Sequence, residues 1–142
     1  MKLFIFCADP REEADLAEKV KQKLLAPDER AIFLSFLGGP VCLAYPENLA
    51  IDANWLLEHI RVSQQMFPEL TEIVLVGHDC GYYANIPNMA NASSSRKKGD
   101  IVKGTAFLES QNLGLGISAY YDSDNDAETP FEEIIGQGVL AS

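Results

Sequence analysis

Short apolar runs stand at residues 3–6 (LFIF), 31–36 (AIFLSF) and 73–76 (IVLV), each separated from the next by a stretch long enough to hold a helix. A strand with one wet face alternates apolar and polar residues; a strand covered on both faces does not need to. Buried strands divided by helical segments imply βαβ units, because parallel neighbours need a long crossover. The expected fold is therefore α/β: three layers, Rossmann-like, around a central, mostly parallel sheet of about four to five strands. No internal repeat or linker divides the chain, so residues 1–142 are expected to form one domain with one sizeable core.

Between the first two runs, residues 12–25 carry Leu16, Val20 and Leu24 at helical spacing, with Glu12, Glu13 and Asp15 in the first turn and Lys21 and Lys23 near the other end. Asn48 or Asp52 is expected to cap a second helix running to about Met66, with Ile51, Trp55, Leu56 and Ile60 as its apolar stripe. Residues 84–98, rich in Asn, Ser and basic side chains, read as a loop, and 101–109 as a short helix weakened by Gly104. Residues 115–121 read as a last strand, 122–129 as an acidic turn and 131–135 as a short helix.

Charge narrows the function. With 21 acidic against 11 basic residues, the chain is a poor match for a nucleic-acid backbone. No apolar segment reaches the length of a membrane span and no signal peptide is visible, so a cytoplasmic location is expected. Three cysteines, Cys7, Cys42 and Cys80, do not suggest a disulfide framework and leave metal ligands or free thiols open.

The chemistry collects at two strand ends. FCADPRE follows the first strand directly and GHDCG follows the third, and open parallel sheets gather function at the carboxyl ends of their strands. If strands one and three are neighbours, Cys7, His78 and Cys80 meet. Two thiolates and an imidazole suit Zn2+ and leave a fourth position for water or an anion. Asp9 and Arg11 continue the i, i+2 series from Cys7. Alone, Asp9 would compete to be a fourth ligand; paired with Arg11, it stays ionised and turned away, able to orient a metal-bound nucleophile. The plainer readings are buried structural cysteines, a Cys7–Cys80 disulfide, and a surface Asp9–Arg11 pair. His59 and Cys42 read as structural, Gly38-Gly39 as a turn or a place of close backbone approach, and the 93–98 run as a solvated loop.

CADPR (7–11) resembles the Cys-x-Asp-x-Arg signature of β-class carbonic anhydrases, and VLVGHDCG (74–81) is similar to their GHxxCG segment. FLSFLGGPV (33–41), NWLLEHIRVSQQ (54–65) and GLGISAYYDSD (114–124) resemble the family's Gly-Gly turn, the helix before its third strand and its late strand. The resemblance implies zinc held by Cys7, His78 and Cys80, an Asp9–Arg11 dyad, and reversible hydration of CO2 to bicarbonate by zinc-bound hydroxide, a lyase reaction. It further implies a homodimer or dimer of dimers with the site at the interface. The 115–121 strand, read as an edge with Leu115, Ile117 and Ala119 on one face, is expected to mediate that pairing. The chain departs from the family in three places. One residue, Asp79, separates His78 from Cys80, where the family has two; Ser35-Phe36 replaces an Arg-Asn pair; and no glutamine precedes Cys7.

Three other functions compete. One is a non-catalytic zinc-binding or anion-sensing protein; another is a hydrolase of a related small molecule such as carbonyl sulfide. The last, a thiol redox module, lacks a Cys-x-x-Cys motif. A nucleotide-binding module would want glycines after the first strand, and CADPRE has none.

Overall fold

The computed structural model describes residues 1–8, 16–123 and 128–135. Five strands form one sheet in the order β2-β1-β3-β4-β5, where β1 is Lys2–Cys7, β2 Ala31–Phe36, β3 Glu72–His78, β4 Gly116–Asp122 and β5 Glu132–Ile135. β1 to β4 are mutually parallel, and β5 runs antiparallel against β4. The helices are α1 (Leu16–Leu24), α2 (Ala50–Met66) and α3 (Ser94–Ser110). This is the α/β, Rossmann-like, three-layer architecture that the apolar runs imply.

The central strands are apolar on both faces because both faces are covered. Leu3, Ile5, Ile73 and Leu75 pack with Leu56, Ile60, Ile101 and Leu108 of α2 and α3. On the other face, Phe4, Phe6, Val74 and Val76 pack with Leu16 and Val20 of α1. The chain leaves β1 over one face and returns to β3 over the other. The gap between the carboxyl ends of β1 and β3 is thus a topological switch point, where open α/β sheets form a crevice.

Four expectations change. First, α2 turns Ala53, Leu56, Leu57 and Ile60 inward and leaves Ile51 and Trp55 outside, 86% and 45% exposed. Its N-terminus has Leu49 at the cap with no side-chain bond, so neither Asn48 nor Asp52 caps it. Second, residues 94–98 are not loop. The Ser93 hydroxyl accepts the Arg96 N–H at 3.1 Å and starts a helix of 17 residues, within which 101–109 is the later part. The helix runs through Gly104, which lets it approach the 3-10 turn Gly39–Leu43; a Cβ there would lie 3.3 Å from that of Leu43. Third, residues 132–135 form a strand instead of a helix, because β4 offers them an unpaired edge. Fourth, β4 is consequently interior. The sheet edges among the described residues are β2 and β5, and the Leu115, Ile117, Ala119 face is not an open edge: Ile117 and Ala119 lie in the core.

Among the described residues, no helix is long and apolar enough to cross a membrane.

Candidate metal centre

Cys7 is the last residue of β1 and His78 the last of β3, with Cys80 two positions further on. Because β1 and β3 pair directly, the three side chains come together at the switch point. Their ligand atoms all lie within 4.8 Å of one another, and each residue is buried, Cys7 and His78 at 4% exposure and Cys80 at 3%. The group can hold a metal ion.

The one-residue spacing between His78 and Cys80 is workable because the chain bends at Asp79, just past the end of β3: the side chains on either side of the bend reach the cluster while Asp79 stays exposed. Asp79 points to solvent and ion-pairs with Lys97 on α3.

Gly38 and Gly39 close the site from the β2 side. Both have positive φ, 85° and 50°. A Cβ on Gly39 would stand 2.6 Å from the backbone nitrogen of Cys7 and 2.6 Å from the carbonyl carbon of Phe6. On Gly38 it would stand 2.7 Å from the Tyr82 ring. Both sequence readings are realised: residues 37–38 form a turn that leads into the 3-10 helix, and the backbone there approaches Cys7 closely. The approach has a chemical result: the Gly38 N–H donates to the Cys7 sulfur at 3.3 Å. The Cys80 thiol donates to the same sulfur at 3.6 Å. These donors, with His78 nearby, hold the Cys7 thiol well below its usual range; the Cys80 bond contributes most, and burial opposes it. Cys7 is thus pre-set as a thiolate, the form that binds metal. The two sulfurs are not bonded to each other.

The cavity beside the ligands is small, about 10 Å3, and is lined by His78, Cys80, Tyr83, Ile101 and Tyr121 among others. That is about the volume of one water-sized sphere. Tyr83 belongs to a cluster that sequence reasoning missed. Asp100, 2% exposed, accepts from the Tyr83 hydroxyl at 2.7 Å, the Tyr45 hydroxyl at 2.8 Å and the Arg96 Nε at 3.3 Å. Burial, then the bond to Asp100, push the Tyr83 phenol well above its usual value, so it stays protonated and fixed. The available signal was Arg96 four residues before Asp100 on one helix face.

A fully buried ion pair was also missed. Lys19 of α1 meets Asp122 at the end of β4, 2.6 Å apart, both side chains 1% exposed. Lys19 stands three residues after Leu16 and next to Val20, so helical spacing alone puts it on the buried face, where a lysine needs an acidic partner.

The predicted Asp9 and Arg11 lie outside the described residues. Cys42 and His59 do not join the cluster. Cys42 sits in the 3-10 turn, 1% exposed, with its thiol 3.6 Å from the Gly39 carbonyl. His59 lies on the outer side of α2 against the Trp55 ring, centroids 4.2 Å apart.

No protein-family model matches the chain, and no curated protein matches it. What the centre can do follows from its own donors. Two thiol sulfurs and an imidazole favour a borderline-soft cation, and three protein ligands are fewer than a closed tetrahedral structural site would use.

Proposed function

We propose that the chain is a zinc-dependent hydratase of β-carbonic anhydrase type, catalysing reversible hydration of CO2 to bicarbonate. The observation that carries this reading is the convergence of Cys7, His78 and Cys80 at the switch point beside a water-sized cavity. A zinc ion held by these residues would supply a Lewis acid that brings the pKa of water near neutrality.

The chain's own residues do the rest. The Cys80 thiol, with His78 and the Gly38 N–H, favours the anionic form of Cys7, and Lys97 ion-pairs with Asp79. Tyr83, braced by Asp100, walls a cavity with room for one water-sized group beside the ligands. Asp9, kept ionised by Arg11, would orient the attacking water by accepting its hydrogen bond. The family likeness supports a homodimer or dimer of dimers, and reduced thiol ligands suit the cytoplasm.

The test is stopped-flow CO2 hydration on zinc-loaded protein near neutral and alkaline pH. We expect a rate above buffer that rises with pH and falls in Asp9→Asn while the zinc stays bound. A zinc-loaded protein with no such rate rejects the hydratase. The tightness of the cavity favours the second reading, a zinc-binding or anion-sensing protein without turnover, in that case. A rate with carbonyl sulfide alone would move the substrate and keep the chemistry.

A further inference from the structure

Six large apolar side chains are exposed among the described residues, and four of them, Ile51, Trp55, Val62 and Met66, belong to α2. Spaced 4, 7 and 4 apart, they fall within about 60° of arc at 100° per residue, opposite the buried Ala53, Leu57 and Ile60. Leu37 follows Phe36 of the edge strand β2, whose ring meets Trp55 edge-on at a centroid distance of 5.1 Å. A helix that packs once against its own sheet needs one apolar face; α2 has two.

We propose that this outer face of α2 joins two copies of the chain, the α2 helices pairing antiparallel about a two-fold axis between Glu58 and His59. The stripe is self-complementary under that operation. Ile51 and Met66 are equidistant from the midpoint of Glu58 and His59, and so are Trp55 and Val62. One axis therefore sets Ile51 against the partner's Met66 and Trp55 against the partner's Val62 at the same time.

Shape agrees with the pairing. An open hollow of about 330 Å3, lined by Asn48, Leu49, Ala50, Ile51 and Asp52, lies at the start of α2. The protruding Met66, 65% exposed, lies at its end. The two-fold brings the knob of each copy to the hollow of the other.

Charge agrees as well. Glu58 and Arg61 are exposed on the same flank of the stripe. In the antiparallel pair each Glu58 lies about 3 Å along the axis from the partner's Arg61, giving two opposite-charge contacts. A membrane surface is a poorer occupant. Helices that lie on anionic lipid carry flanking Lys and Arg, whereas this chain has a net charge of −10 and one basic residue beside the stripe. The contact is independent of what the metal centre does.

The test is sedimentation equilibrium of the full chain across micromolar concentrations, with far-UV circular dichroism as the folding control. We expect reversible association whose smallest assembly is the dimer. Trp55→Glu combined with Val62→Glu should raise the dissociation constant by about 100-fold or more without changing the spectrum, since both residues are outward. Glu58→Arg and Arg61→Glu should each weaken the dimer by about 3-fold or more, and the two combined should restore it. A monomeric wild type, or a dimer indifferent to the Trp55→Glu, Val62→Glu variant, overturns the proposal. Failure of the double charge reversal to restore association overturns the antiparallel pairing.

Discussion

Cys7 and Cys42 are the same residue type at nearly the same burial, 4% and 1% exposed, yet their surroundings drive them to opposite protonation states. Cys42 lies inside the 3-10 turn, where burial, then the charge of Asp52, push its thiol up to about 12. Cys7 lies at a strand end, where the Cys80 thiol and the Gly38 N–H donate to its sulfur and hold it ionised. Burial disfavours a thiolate in both places. Donors decide the outcome, and they are present at Cys7 because a parallel sheet opens a gap between β1 and β3 that a glycine pair can enter. A cysteine becomes a ligand here through what its neighbours donate, not through depth.

The largest break in that comparison should come from removing each sulfur in turn. Cys7→Ser is expected to lower zinc affinity by at least about 100-fold, because a neutral hydroxyl is a far weaker ligand than a thiolate. Cys42→Ser should keep the wild-type metal content. Competition against a chelator, with metal per chain read by mass spectrometry, separates the two; equal losses would show that the cysteines do not differ in role.

A smaller effect should follow from refilling the gap. Gly39→Ala places a methyl 2.6 Å from the Cys7 nitrogen at a positive φ, so β1 or the turn must move. We expect a stability loss of about 2–3 kcal/mol in urea melts together with weaker metal binding. Unchanged melts would mean that the close approach does not position Cys7.

The smallest effect is the alkaline one, and its sign follows from Cys42. The folded thiol ionises near 12 and the unfolded thiol near 9, so its contribution is complete below 9 and is lost as pH rises from 9 through 12. At about pH 10 the loss should be about 1 kcal/mol. Tyr121, also raised by burial to about 12, adds in the same direction. Cys42→Ala should flatten that alkaline decline. Cys7 acts oppositely in metal-free protein: its folded pKa is depressed, so its contribution is lost as pH falls. Urea melts at neutral and alkaline pH for the wild type and Cys42→Ala check the sign.

How far these features were legible depends on whether their cause is local. The ends of β1 and β3 were readable because apolar runs stop abruptly at Cys7 and at Gly77-His78, and neighbouring parallel strands then bring the ligands together. Other features depend on distant partners. Asp100 draws on Tyr45 and Tyr83, 55 and 17 residues away. β5 is a strand because β4, and not its own sequence, offers it a ladder. α2 misled because it carries two apolar faces. Read as one apolar stripe, Ile51 and Trp55 join Leu56 and Ile60, although 100° per residue puts the two pairs on opposite sides. The His78–Cys80 spacing works through a bend at Asp79 that the local sequence does not announce.

The metal centre requires that Cys7, His78 and Cys80 bind one ion together. X-ray absorption at the zinc edge of metal-loaded protein reads this directly. The predicted first shell has two sulfurs at about 2.3 Å and one imidazole nitrogen at about 2.0 Å, with the remaining position filled by oxygen or nitrogen. One of the two sulfurs should disappear in Cys7→Ser and neither in Cys42→Ser. A shell of oxygen and nitrogen alone, or a sulfur lost with Cys42 instead of Cys7, would contradict the metal centre.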